Sequence, residues 1–151
     1  TTEIPEIGEG YPEEGSRHVP GGKTVSYKTN PPSSGDHYGD PANFGVYDHE
    51  IPDEAVVHNL EHGGIWISYR PDIPDTVKNK LAKIVKSNTK VLLTPRSKND
   101  AAIALVSWRR IHKMEVSADG GFAEDVVQNF ILKYKNTGLE RVPDNAPGKD
   151  Y

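Results

Sequence analysis

The chain has no cysteine, which excludes disulfides, zinc–thiolate sites and cysteine nucleophiles together. Any metal must be held by histidine, carboxylate or the single methionine. The absence fits an oxidising compartment without requiring one, since many cytosolic proteins also lack the residue. No stretch approaches the roughly 20 apolar residues of a membrane-spanning helix, and no leader pattern opens the chain. Membrane contact by this segment is therefore not expected. Basic runs are missing too. The net charge is −4 with both signs interspersed, so no stripe tracks phosphates and nucleic acid is not an expected partner.

Apolar side chains are also scarce, at 34% of residues. With 151 residues the chain has material for one core and too little for two. Residues 1–50 hold 6 of the 12 prolines and 8 of the 14 glycines, with few large apolar side chains. That segment reads as a long loop laid over a body, with a short extended piece at Lys23–Lys28, and loops of this length are most often functional. The expected division is an extended arm over 1–22, one α+β domain over 23–143 and an unstructured tail over 144–151. Terminal arms of this composition would suit association of copies into a homo-oligomer or filament by strand addition.

Regular patterning begins after Pro52. Val56, Val57 and Leu60 predict a short helix over Asp53–His62, stopped by Gly63-Gly64. A strand follows at Ile65–Arg70. Val77, Leu81, Ile84 and Val85 predict a second helix from Pro74 to Lys86, with Asp72 as its cap. Lys90–Thr94 reads as a strand, Ala101–Val116 as a long β-like run, and Phe122–Lys135 as a third helix. The order implies a small mixed sheet covered by about three helices, an α+β fold with a loop-rich N-terminal segment.

Four of the six histidines fall within the 26 residues from His37 to His62. His58 and His62 are four apart, so on a helix both rings can reach one ion. Val56, Val57 and Leu60 lie about 160–260° round the helix from His58, so the pair faces away from the helix's own apolar side. The natural neighbour is the Pro/Gly-rich first half, where His37 sits between Gly35 and Gly39. His37, His58 and His62 are the expected metal ligands. His18 and Met114 are weaker candidates, and His49 weaker still. An i, i+4 histidine pair is otherwise an ordinary polar surface, and Trp66, Trp108 and the tyrosines are ordinary core or interface residues.

Three blocks carry a resemblance: Pro31-Pro32-Ser33-Ser34-Gly35-Asp36-His37-Tyr38, Ala42-Asn43-Phe44-Gly45-Val46-Tyr47, and Val57-His58-Asn59-Leu60-Glu61-His62-Gly63-Gly64. Arg17-His18-Val19, Ser68-Tyr69-Arg70-Pro71, Ser107-Trp108-Arg109 and Gly138-Leu139-Glu140-Arg141-Val142-Pro143 extend it over about residues 11–143. Together they resemble the bacterial and archaeal family catalogued as domain of unknown function 3105. Members typically follow a signal sequence or single membrane anchor, so the resemblance implies an extracytoplasmic domain; the anchor is missing here, as in a mature or truncated chain. It implies no established activity.

Three functions compete. His112 and Met114 share a face of the β-like run, and imidazole with thioether suits copper. A copper-binding domain is the leading expectation, with zinc as the alternative ion. His58-Asn59-Leu60-Glu61-His62 also resembles the His-x-x-Glu-His motif of inverzincin proteases, which would make Glu61 the general base of a zinc hydrolase. No downstream carboxylate ligand is evident at helical spacing. The third reading is an assembly subunit whose fold a metal stabilises.

Overall fold

The computed structural model describes residues 3–151, so residues 1 and 2 of the expected arm lie outside the described residues. Eleven elements follow in order. Four two-residue strands come first, β1 (Glu9–Gly10), β2 (His18–Val19), β3 (His37–Tyr38) and β4 (Gly45–Val46). Then come α1 (Asp53–Glu61), β5 (Ile65–Tyr69), α2 (Asp75–Lys86), β6 (Val91–Pro95), β7 (Ile103–Ser107), β8 (Arg110–Met114) and α3 (Glu124–Tyr134). The fold is α+β. A mixed six-stranded sheet runs β1-β8-β7-β5-β6-β4, parallel across β5-β6-β4 and antiparallel elsewhere, and β2 and β3 form a separate parallel pair.

Side chains alternate across a strand, so the sheet has two apolar faces. Ile65, Ile67, Val91, Leu93, Ile103, Leu105 and Met114 point to the face covered by α2 and α3. Trp66, Leu92, Val106 and Ile111 point to the other, covered by Ala55, Val56, Val57 and Leu60 of α1 together with Tyr38 and Ala42. Burial on both faces explains why β5, β6 and β7 read as continuous apolar runs.

Several local expectations change. The β-like run over 101–116 is a hairpin, because Trp108-Arg109 turns the chain with Arg109 at φ 68°. Asp72 does not cap α2: Pro74 holds that position, its ring already fixing a suitable φ, while Asp72 lies 3.9 Å from Arg70. Lys23–Lys28 forms no strand.

The two ends of the chain are seated on its own body. Glu9 and Gly10 pair with Ile111 and Arg110, and Lys133 Nζ donates to the Ile4 carbonyl at 2.7 Å. At the other end Lys149 bridges to Ala42 and the Tyr151 hydroxyl donates to the Asp40 carbonyl at 2.5 Å. The tail is thus bonded to the 40–49 loop instead of unstructured. The backbone groups in these pairings are used within the chain. Among the described residues no helix is long and apolar enough to cross a membrane.

Candidate metal centre

Helix α1 is the platform of the site, and it is tied down along its length. Asp53 and Glu54 suit the positive end of the helix dipole. Asp53 accepts two bonds from the buried Arg96, at 3.0 Å from Nε and 2.9 Å from Nη2. Midway, the buried Asn59 amide bonds both polar groups of Ala42, accepting from its N–H at 2.9 Å and donating to its carbonyl at 2.7 Å. Removing one side of a buried pair leaves the other unsatisfied. Asn59→Ala is therefore expected to cost about 2 kcal/mol of unfolding free energy, read as a lower denaturant midpoint at unchanged slope. An unchanged midpoint would show that the loop is not held through this amide.

The helix ends at Gly63, whose φ of 90° turns the chain hard against the backbone of Asn136. Gly138 then lies directly against the carbonyls of Leu60 and Glu61, an approach that a Cβ would block. Past this contact the Glu140 N–H donates to the Glu61 carbonyl at 2.9 Å. Two glycines therefore bring the 138–140 segment to the C-terminal end of α1, and with it Glu140 to within 3.5 Å of His62.

The opposite wall is the β2–β3 pair, whose register sets His18 beside His37 and Val19 beside Tyr38. It closes over α1. Ring centroids are 5.2 Å apart for His18 and His37, 5.1 Å for His18 and His58, 4.7 Å for His37 and His58, and 4.3 Å for His58 and His62. His18, His37, His58 and Glu61 each offer one ligand atom within 4.8 Å of all the others. His37, His58 and Glu61 are buried, while His18 is exposed at the rim.

Hydrogen bonding fixes which nitrogen faces inward. His37 Nδ1 lies 2.8 Å from the Gly35 carbonyl and His58 Nδ1 lies 2.7 Å from the Tyr38 carbonyl. A carbonyl oxygen only accepts, so both rings carry their proton on Nδ1 and turn an Nε2 lone pair inward. Among the described residues His37 Nε2 has no hydrogen-bond partner although it is buried, and Glu61 Oε2 stands 3.5 Å away. His58 Nε2 meets His62 Nε2 at 3.0 Å. Lone pairs and a carboxylate thus converge with a shortage of donors, an arrangement that a cation or extra protons would relieve.

Burial makes protons a poor solution. It lowers the pKa of His37 and His62 below the ordinary histidine value and takes His58 down to about 4. Burial, and then the charge of Glu140, lifts the Glu61 carboxyl above its ordinary range. Three imidazoles that burial keeps neutral near neutral pH therefore face a desolvated carboxyl group. A buried group of this kind could hold a metal ion.

Other sequence candidates lie elsewhere. Met114 packs with Ile103 and Leu105 on the α2–α3 face, across the sheet from α1. His112 pairs with Leu105 on that same side. The thioether is thus separated from the histidine cluster by the sheet itself. His49 is exposed, between Asp48 and the Tyr151 carbonyl. His62 stands beside His58 but falls in a second group, with Glu61 and Glu140. Sequence reasoning misses Glu140 because it is 78 residues beyond His62 in the chain and has no helical or strand spacing to anything in the site. Its local signals are Gly138 and its place in the 138–143 block that shares the family resemblance.

No curated protein and no solved structure matches the chain. A family model described as "Protein of unknown function (DUF3105)" matches residues 18–147, a span from the rim histidine of the site to the C-terminal tail. The chain belongs to the DUF3105 family.

Proposed function

We propose that this is an extracytoplasmic copper-binding domain, holding one divalent ion between His18, His37, His58 and Glu61. What carries the reading is the convergence of the His37 and His58 Nε2 lone pairs, their Nδ1–H groups held by backbone carbonyls, with the Glu61 carboxylate in a buried space. Histidines that bind metals ordinarily donate their other nitrogen in this way. Imidazole and carboxylate donors without sulfur accept copper(II) and zinc, and for a given set of such donors copper(II) binds more tightly. A location outside the cytoplasm is proposed from the family resemblance and the lack of cysteine.

A zinc hydrolase with Glu61 as general base is the second reading, supported by the carboxyl lifted above its usual range. Against it, Glu61 stands among the candidate ligands, 3.5 Å from His37 Nε2.

Elemental analysis of the full chain, purified without added metal or chelator, tests the proposal. At least one equivalent of copper is expected, with zinc as the substitute ion when copper is withheld. A chain that arrives metal-free and then binds neither ion in a direct titration is not a metal protein of this kind. Peptidase or esterase activity that needs zinc and disappears in Glu61→Gln would favour the second reading.

A further inference from the structure

Four residues satisfy one ion, yet the cluster does not end with them. Glu61, His62 and Glu140 form a second group, each offering a ligand atom within 4.8 Å of the other two. His62 Nε2 lies 3.5 Å from Glu140 Oε2 and 3.0 Å from His58 Nε2. Since His58 Nε2 is a lone pair, His62 must donate its own Nε2–H to that contact while no cation is present. An ion on His58 takes that lone pair, and His62 loses its acceptor. Its ring is then left facing two carboxylates. Lys90 is a nearby cation, but its ammonium group already donates to Asn136 Oδ1 and the Val142 carbonyl.

We infer that Glu61 bridges two metal ions: the inner one already described, and an outer divalent ion held by Glu61, His62 and Glu140. The inference rests on the inner site being a metal site. Two ions sharing a ligand ordinarily stand about 3.5–4 Å apart, a spacing that a bridging carboxylate spans. The two positions differ in character. Of the inner donors His37, His58 and Glu61 are closed from solvent and His18 is exposed at the rim, whereas both side chains that only the outer ion uses, His62 and Glu140, reach solvent, at 17% and 64% exposure. An ion with three protein ligands and access to water keeps a coordination position free, as reactive metal sites do and structural ones do not. The outer ion is therefore the exchangeable one, and small oxygen-donor ligands are the chemistry that would reach it.

Metal stoichiometry tests this. The full chain, stripped by chelator, is titrated calorimetrically with Zn²⁺ alone, and separately loaded with Cu²⁺ alone, desalted and analysed for copper and for spin concentration. Two equivalents are expected in the parent, the second weaker by about tenfold or more because it has fewer protein ligands. Fewer unpaired spins than copper atoms are expected, from coupling through the bridge. Glu140→Gln, a change at an exposed side chain that leaves folding intact, and His62→Ala should each bind a single equivalent. One equivalent in the parent, or two that Glu140→Gln leaves untouched, overturns the second ion and keeps the first. No binding by the parent overturns the inner site as well, so the two failures are distinguishable.

Discussion

His58→Ala is expected to weaken binding of the first copper ion by more than 100-fold, beyond the roughly 10–100-fold that follows loss of a mere supporting contact to a metal ligand. His58 is the centre of the cluster: its ring is within 5.1 Å, centroid to centroid, of those of His18, His37 and His62. Its Nδ1–H also ties α1 to the Tyr38 carbonyl across the gap between the two walls. The substitution therefore removes a donor and loosens the wall that carries His37. His37→Ala should act in the same direction with the sheet core intact, because His37, although buried, sits on the two-residue strand β3 of the β2–β3 pair, outside the six-stranded sheet. Competition against a chelator of known affinity measures the loss, and circular dichroism checks the fold. Affinity within a factor of about three of the parent in a folded His58→Ala protein, where a ligand contact should be worth far more, would remove this histidine from the site.

Glu61→Gln should change two quantities in opposite directions. The variant keeps the shape of the side chain but withdraws its charge, so metal affinity is expected to fall by about 100-fold or more, again outside the roughly 10–100-fold range of supporting residues. The metal-free protein, in contrast, should become more stable near neutral pH. Glu61 has a folded-state pKa above its unfolded value, so its contribution is fully present below the unfolded pKa and is lost as pH rises through the folded one. Glutamine does not ionise and avoids that loss.

The buried histidines act with the other sign. His37, His58 and His62 have depressed folded-state pKa values, so their contribution is present above the unfolded value and is lost as pH falls, for His58 down towards about 4. Metal-free protein should therefore lose stability between the ordinary histidine range and about pH 4, and saturating metal should add stability according to its free concentration over Kd. Thermal denaturation of both proteins across that window, with and without copper, reads all of this. A metal-free Glu61→Gln protein less stable than the parent at neutral pH, with metal affinity unchanged, would mean that Glu61 is a structural hydrogen-bonding residue.

Much of this architecture can be read along the chain, for a local reason. Val77, Leu81, Ile84 and Val85 repeat at helical spacing, and α2 forms there with those four buried. Val126, Val127, Phe130, Ile131 and Tyr134 mark α3 in the same way. The blurred places are those where a period of two or 3.6 does not operate. Strands β1 to β4 have two residues each, too few for any alternation to show. The hairpin break at Arg109 depends on a left-handed residue that is not glycine.

The histidine spacing at the end of α1 and its direction away from the apolar side of the helix follow from the sequence by itself, because helix geometry converts spacing into direction. So does the restriction to nitrogen, oxygen or thioether donors, because cysteine is absent. Only the tertiary structure decided the rest. Alternation in β8 places Met114 on the α2–α3 side, so the sheet lies between the thioether and the histidines. The parallel pairing of β2 with β3 sets His18 at His37, and the close approach of Gly138 to the end of α1 carries Glu140 to His62. These are contacts between residues distant in sequence, and no periodicity along a chain records which distant backbone will be allowed to touch.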